Sequence, residues 1–146
     1  MARADLNTIV LMEAEIFSDC WSRQSFEEIL EHEAWQAIVA EHEGRIIGYA
    51  CWMISVNEAH LANIAVDPAF RRKSVARRLL GHILKAVGER DCEYLLLEVR
   101  QSNEAAIVFY VGHGFELLYR RPGYYRHPVE DALVMVYYLK RPASKQ

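Results

Sequence analysis

The segment from Val75 to Val87 places the strongest constraint on the fold. Its apolar side chains recur every three or four residues and arginine or lysine occupies much of the other face, a pattern typical of an amphipathic helix. Apolar runs typical of buried strands lie on both sides of it, one ending at Asp67 and the other at Val99. Two strands joined through a helix lie parallel in one sheet. A strand–helix–strand crossover is therefore expected at the centre of the chain.

Further helices are expected before and after this crossover. Two helices come first, with Asp5 expected to cap the first and Ser22 the second, because carboxylate and hydroxyl oxygens accept the free N–H groups of a first turn. A short helix begins at about Asn103, and Gly114 suits the left-handed residue that ends it.

The remaining segments predict strands and complete the order ααβββαβαββ. An antiparallel meander precedes the crossover, and two strands at residues 115–121 and 132–140 end the chain, separated by a loop at residues 122–128. We expect an α/β (α+β) fold with a mixed, mostly antiparallel sheet flanked by helices. The domain spans residues 1–146, with a core at 5–140 and a flexible tail at 141–146.

Composition excludes several classes of protein. The chain has 146 residues, 52% of them apolar, which suits one globular domain. A net charge of -3 argues against a nucleic-acid partner, and the chain has no apolar run of the roughly 20 residues that span a membrane. Three scattered cysteines form no Cys-x-x-Cys pair, and no histidine pair has metal-ligand spacing, so we expect no metal and a cytoplasmic location.

A basic segment at residues 71–78 joins the end of a strand to the start of the long helix. It holds five arginines and lysines in eight residues. The N–H groups and dipole of a helix start bind anions, and small residues let a phosphate approach closely. A solvated basic face and a nucleic-acid patch remain the alternative interpretations of this segment.

Two further positions are candidates for catalysis. Glu98 ends an apolar strand, where a carboxylate is either a surface group or a general base that faces a cleft. Asn103 and Tyr110 are seven residues apart and share one helical face. Either Asn103 is only a cap and Tyr110 belongs to the core, or both polar groups face one ligand.

Together these segments resemble the GNAT superfamily of acetyl-CoA-dependent N-acetyltransferases. The resemblance covers nearly the whole chain, and its strength lies in the order and spacing of the motifs. They are Asn63-Ile64-Ala65-Val66-Asp67-Pro68, Arg71-Arg72-Lys73-Ser74-Val75-Ala76-Arg77-Arg78-Leu79-Leu80, Leu97-Glu98-Val99-Arg100, Ser102-Asn103, Ala105-Ala106-Ile107, Tyr110 and Gly114-Phe115.

The resemblance implies a role for each matching position. Glu98 would be the general base, directly or through water, and Tyr110 would donate a proton to the departing thiolate. A backbone N–H near Val66 would stabilise the oxyanion. Acetyl-CoA would contact three groups of residues: Ile64, Ala65 and Val66 through the pantetheine arm; Arg71, Arg72, Lys73, Ser74, Val75 and Ala76 through the pyrophosphate; and Asn103.

A subgroup is indicated as well. The segment Cys20-Trp21-Ser22, and Tyr124-Tyr125 followed by Glu130-Asp131-Ala132, are similar to ribosomal-protein-alanine N-acetyltransferases. The resemblance implies transfer of acetyl to the N-terminal alanine of a small-subunit ribosomal protein, with Trp21, Tyr124 and Tyr125 binding the acceptor peptide. An acetyltransferase of a free small amine and a CoA-binding module without turnover are the alternatives.

Two departures from the family pattern bear on these expectations. Ser74 stands where the family usually has glycine, and a positive φ there would weaken CoA binding. The family usually has a strand before the first helix, but only residues 1–4 precede Asp5 here, so either that strand is absent or the chain start is shortened. Its absence would leave a neighbouring strand unpaired, so we expect a monomer or a weak homodimer.

Overall fold

The computed structural model describes residues 1–141 and has the expected order of elements. The helices are α1 (Leu6–Ile16), α2 (Arg23–Glu31), α3 (Val75–Glu89) and α4 (Glu104–Gly112). The strands are β1 (Trp35–His42), β2 (Arg45–Ser55), β3 (Glu58–Val66), β4 (Tyr94–Arg100), β5 (Glu116–Arg126) and β6 (Val129–Tyr138). In the described part of the chain no strand precedes α1. The expected flexible tail falls, apart from Arg141, outside the described residues.

One six-stranded sheet in the order β1-β2-β3-β4-β6-β5 organises the molecule. The β3–β4 pair is parallel and the other four pairs are antiparallel, as the crossover predicts. Helices α1 and α2 cover one face at β1–β3, where Leu6, Ile9 and Phe26 pack against Tyr49 and Cys51. The opposite face packs against α3 and α4. The α1/α2 side of β4, β6 and β5 has no helix over it in residues 1–141, and we call it the uncovered face.

Gly48 sets how closely α3 approaches the sheet. A Cβ at this position would lie 2.9 Å from the carbonyl oxygen of Ala65 and 3.3 Å from the side chains of Val75 and Leu79. Only glycine leaves room for this contact, because real Cβ atoms do not come so close to a backbone oxygen. The first turn of α3 therefore lies directly over the start of β2 and the end of β3.

Strands β3 and β4 separate part of the way along their length. Their ladder runs from Glu58 opposite Tyr94 to Leu61 opposite Leu97, while β3 continues to pair with β2 as far as Val66. Beyond Leu61 and Leu97 the two strands have no ladder partner between them in the described chain. We call the gap between residues 62–66 of β3 and 98–100 of β4 the β3–β4 opening.

A bulge in β3 decides which side chains face this opening. The register between β2 and β3 shifts between Cys51 and Trp52, which pair with Asn63 and Leu61 and leave Ala62 as the extra residue. His60 and Asn63, three positions apart, therefore point to the α1/α2 side of the sheet. Without the bulge, simple alternation would have put them on opposite faces.

Glu13 of α1 is buried beneath this part of the sheet. Its carboxylate accepts hydrogen bonds from the Tyr49 hydroxyl, from the Asn63 amide at 2.9 Å and from the backbone N–H of Trp21 at 3.0 Å. Burial and the neighbouring Glu13 raise the pKa of Tyr49. Helix α1, strands β2 and β3 and the α1–α2 segment are thus joined at one carboxylate, and Asn63 is held next to the edge of the β3–β4 opening.

Two predictions about local structure are wrong. The Asp5 carboxylate does not cap α1: it accepts a 2.7 Å hydrogen bond from the N–H of Ala2 and closes a 3₁₀ turn at Arg3–Asp5. Residues 122–126 do not form a loop, because β5 continues through them to Arg126 with an irregularity between Arg121 and Tyr125. By contrast, Ser22 caps α2 as expected, accepting from the N–H of Ser25.

None of the described helices combines the length and the apolar character needed to span a bilayer.

Candidate active site

Glu98 lies in β4 at the base of the β3–β4 opening. Its side chain is 13% exposed, and its carboxylate faces two cation-forming groups. The Nε2 atom of His60 is 2.5 Å from Oε2, and Nη1 of Arg121 is 3.5 Å from Oε1. Of the two interpretations of Glu98, the structure supports a carboxylate that faces a cleft.

His60 and Arg121 were both missed in the sequence. A histidine in a half-buried strand gives no signal by itself, and its approach to Glu98 follows from the parallel pairing of β3 with β4, which joins residues far apart in the chain. Arg121 was assigned to the end of a shorter strand. Glu98 pairs with Val134 of β6, and Val134 also pairs with Tyr119 of β5, which brings β5 close to the carboxylate.

The basic segment leads directly into the start of α3. A 3₁₀ turn at Pro68–Phe70 leads into residues 71–74, and the helix begins at Val75, with the N–H groups of its first turn free of intrahelical partners. Arg71, Arg72 and Ser74 are exposed, while Val75 and Ala76 are half-buried. This geometry supports the binding of a pyrophosphate by backbone N–H groups with positive charge around it.

Ser74 has the left-handed conformation that the family glycine would suit. Its φ is 64°, it is the N-cap of α3, and its hydroxyl makes no capping hydrogen bond. Arg72 also has a positive φ, of 62°. Left-handed backbone costs a residue with a Cβ about 1–2 kcal/mol. The loop therefore holds its shape at a cost in strain.

Asn103 is the N-cap of α4 and Tyr110 lies within this helix, which follows β4 at the far side of the opening. The Asn103 side-chain oxygen accepts from the N–H of Ala106 at 3.2 Å, so it caps the helix and keeps its NH₂ group for another partner. Tyr110 is only 6% exposed and packs against Phe109 and Phe115. Burial raises the pKa of Tyr110, with a further contribution from Tyr125, and keeps its phenol protonated.

Tyr124 and Tyr125 line the uncovered face beside Glu98. They lie within β5, so their expected position in a loop is wrong. Their rings are 5.0 Å apart and nearly perpendicular. The guanidinium of Arg121 lies 4.5 Å from the Tyr124 ring and that of Arg100 lies 4.2 Å from the Tyr125 ring. Burial raises the pKa of both phenols, which leaves two neutral aromatic walls.

Asp19 joins the α1–α2 segment to the β5–β6 turn. Its carboxylate pairs with Arg100 and lies 2.7 Å from Nδ1 of His127. Arg100 also pairs with Glu130 at 3.2 Å, and the Glu130 carboxylate accepts from the N–H of Ser102 at 2.6 Å. We call Asp19, Arg100, His127 and Glu130 the Asp19 cluster. It fixes the two segments that border the uncovered face.

The side chain of Trp21 packs among aromatic residues rather than beside Glu98. Its ring packs 5.5 Å from Phe26 and 6.3 Å from Trp35, within the apolar cluster under α1 and α2. The ring therefore has a packing role, and its expected role in acceptor binding stays a prediction.

No group of three or more potential metal ligands occurs among residues 1–141.

Comparisons with known proteins agree with this geometry. The model of the acetyltransferase (GNAT) family matches residues 6–115. The chain is 33% identical to the putative [ribosomal protein bS18]-alanine N-acetyltransferase of Bacillus subtilis (strain 168), over 92% of this chain and 90% of that protein.

Two Escherichia coli comparisons agree as well. Identity to the [ribosomal protein bS18]-alanine N-acetyltransferase of strain K12 is 35%, over 79% of this chain and 78% of that one. The crystal structure of the ribosomal-protein-S18-alanine N-acetyltransferase from Escherichia coli superposes with a TM-score of 0.88 at 30% identity, covering 100% of this chain and 95% of that one. The chain belongs to the GNAT family of acetyltransferases.

Proposed function

We propose that the protein transfers acetyl from acetyl-CoA to the N-terminal α-amine of a protein, an alanine of a small-subunit ribosomal protein. Relatives with 33% and 35% identity carry names that specify the alanine of ribosomal protein bS18. Their similarity covers most of each chain, which supports the same class of acceptor here.

The β3–β4 opening is the observation that carries this proposal. Backbone groups of Ile64, Ala65 and Val66 border it on one side, where an extended amide-containing chain can pair with them as an added strand. The pantetheine arm of CoA is such a chain. The anion site of the basic segment lies at one end of this edge, and Glu98 lies at its base.

Positioning is the main contribution we assign to the site. With the arm paired along β3 and the pyrophosphate at residues 71–76, the thioester would lie near Glu98, and the acceptor would enter from the uncovered face. Holding the two reactants together lowers the barrier without strong acid or base. Glu98 then removes a proton from the ammonium form of the amine, whose pKa is about 7.7–8.0.

Tyr110 is proposed to stabilise the departing thiolate by a hydrogen bond. A thiol has a pKa of about 8.5, whereas burial raises the pKa of Tyr110 above its ordinary value near 10. Full proton transfer from this phenol to sulfur is therefore uphill. A neutral donor aimed at the sulfur still lowers the energy of the developing anion.

The acceptor side suits a peptide. Tyr124 and Tyr125 offer flat, partly buried rings with hydroxyl groups, and the Asp19 cluster holds the neighbouring segments in place. Such surfaces bind the backbone and first side chains of an extended chain. A free small amine would use little of this surface.

An acceptor panel tests the proposal. The protein is incubated with acetyl-CoA and, in separate reactions, an Ala-initiated peptide, the same peptide with a blocked N-terminus, and free amines such as an amino acid and a polyamine. Thiol release and mass spectrometry should detect acetylation of the free Ala-initiated peptide alone. Acetylation of a free amine but not of the peptide would favour a small-molecule acetyltransferase.

The strained Ser74 favours one second candidate, a CoA-binding module without turnover. A phosphate loop under strain is compatible with weak binding and no catalysis. Calorimetry with CoA and thiol release with acetyl-CoA separate the two functions, because binding without release in the presence of every acceptor would support the second.

A further inference from the structure

The proposed reaction leaves one proton that the site must export. At neutral pH the acceptor is mostly an ammonium ion. When the C–N bond forms and the C–S bond of the thioester breaks, the nitrogen loses two protons and the sulfur gains one. One proton per turnover therefore goes to solvent. Glu98, as the base, accepts it in each cycle and must lose it before the next.

His60 is better placed than Glu98 to exchange that proton with water. The Glu98 side chain is 13% exposed and that of His60 is 32% exposed. A cofactor arm in the β3–β4 opening and a peptide on the uncovered face would cover Glu98 further. The Nε2 atom of His60 lies 2.5 Å from Oε2 of Glu98, so the carboxylate has a direct hydrogen-bond partner in His60.

A cavity of about 220 Å³ begins at this pair. It extends along β3 towards the β2–β3 turn, away from residues 62–66, where we place the cofactor arm. Its lining residues are Met53, Ser55, Glu58, Ala59, His60, Leu96 and Glu98. The volume holds several water molecules, and the Ser55 hydroxyl and Glu58 carboxylate can bind them.

We propose that His60 relays the proton from Glu98 to water in this cavity, an inference that rests on the function proposed above. Oε2 of protonated Glu98 gives its proton to Nε2, and the resulting imidazolium releases one proton to a water molecule. Glu98 is then a carboxylate again and His60 is neutral. Imidazole suits this step because it can accept a proton at one nitrogen and release one at the other.

Two further charged side chains lie near the His60–Glu98 pair. Arg121 of β5 faces the other oxygen of Glu98 at 3.5 Å, and its guanidinium stacks on the Tyr124 ring. Glu58 of β3 lies on the cavity side and is hydrogen-bonded by the Tyr94 hydroxyl. The β2 residues that line the cavity carry no charge. His60 acts through Glu98, so it is a positioning and relay residue.

Variants of His60 test the relay. His60→Ala should lower kcat for thiol release about tenfold or more in dilute buffer at pH 7. Rising imidazole concentration should then restore kcat, because imidazole can enter the vacated space and accept the proton. His60→Gln keeps an amide that can donate to Glu98 but cannot carry a proton, so it should be as slow and less responsive to imidazole. His32→Ala, which removes an exposed histidine between α2 and β1, should keep the wild-type kcat.

Each result has one meaning. Wild-type kcat for His60→Ala in dilute buffer overturns the relay. A loss that imidazole does not restore, in a variant with the wild-type CoA affinity, means that His60 only orients Glu98 and also overturns it. A wild-type protein that releases no thiol with any acceptor contradicts the proposed function itself, which separates that failure from failure of the relay.

Discussion

His60 and Glu98 meet across the parallel ladder of β3 and β4, with Nε2 of the histidine 2.5 Å from Oε2 of the glutamate. The pair stands where the two strands begin to separate, because the ladder ends at Leu61 and Leu97. A titratable pair at the base of an opening in a sheet is a placement suited to proton transfer.

Replacing Glu98 by Gln should lower kcat by about 10²–10⁴-fold, the range for loss of a positioned general base. The loss should be largest at low pH, where more of the acceptor amine is protonated and needs a base. Thiol release measured from pH 6 to 9 checks this. Glu93→Gln changes an exposed carboxylate just before β4 and serves as the matched control. A Glu98→Gln enzyme with wild-type kcat at pH 6 would contradict the assignment.

Replacing Ser74 by Gly should tighten CoA binding and stabilise the fold. Glycine adopts a φ of 64° without the Cβ contact, which offers about 1 kcal/mol, less some entropy of the unfolded chain. Ser74→Ala keeps the Cβ and removes the hydroxyl, so it separates strain from hydrogen bonding. Calorimetry with CoA should give a several-fold lower Kd for Ser74→Gly alone. Equal Kd values for CoA in Ser74→Gly and the wild type would contradict this prediction and mean that the strain does not affect CoA binding.

Replacing Asp19 by Asn should weaken acceptor binding and leave CoA binding unchanged. Loss of the charged contacts to Arg100 and His127 would loosen the two segments that border the uncovered face, and the KM for the peptide should rise about two- to fivefold. Hydrogen bonding to His127 holds the pKa of Asp19 below its usual range. The cluster is therefore charged above about pH 4 and is lost as pH falls further. A raised Kd for CoA in this variant would contradict the separation of the two sites.

The three cysteines should differ sharply in reactivity. Burial raises the pKa of Cys51 to about 12 and raises that of Cys92 as well, while Cys20 is exposed. At pH 8 only about one Cys51 thiol in ten thousand is a thiolate, and that sulfur is enclosed. A disulfide reagent should thus modify one thiol quickly in the folded protein and all three after unfolding. Rapid modification of Cys51 would show that the α1/α2 side opens easily.

The order of elements was predictable because each pattern is local. The helical repeat from Val75 to Val87 and the capping residues Ser22 and Asn103 act within one or two turns, and the structure has them as expected. The end of β5 was not predictable, since Pro122 and Gly123 indicate a loop by composition. Pairing of Tyr125 with Glu130 in β6 overrides that local preference.

The site was predictable where a motif carried it and not where tertiary structure did. Glu98 and the basic segment follow the family pattern along the chain. His60 reaches Glu98 through the parallel pairing of β3 with β4, which no composition signal marks. The Asp19 cluster joins residues more than 80 positions apart, and Asp5, although of capping type, bonds backwards to Ala2 instead.

The most direct measurement of the central claim is mass spectrometry of an Ala-initiated peptide after incubation with acetyl-CoA and the wild-type protein, with Glu98→Gln in parallel. We predict acetylation of the N-terminal α-amine, one thiol released per acetyl transferred, and a much slower reaction with the variant. Acetyl-CoA that stays intact in the presence of the free peptide would contradict it, as would equal rates for the two proteins.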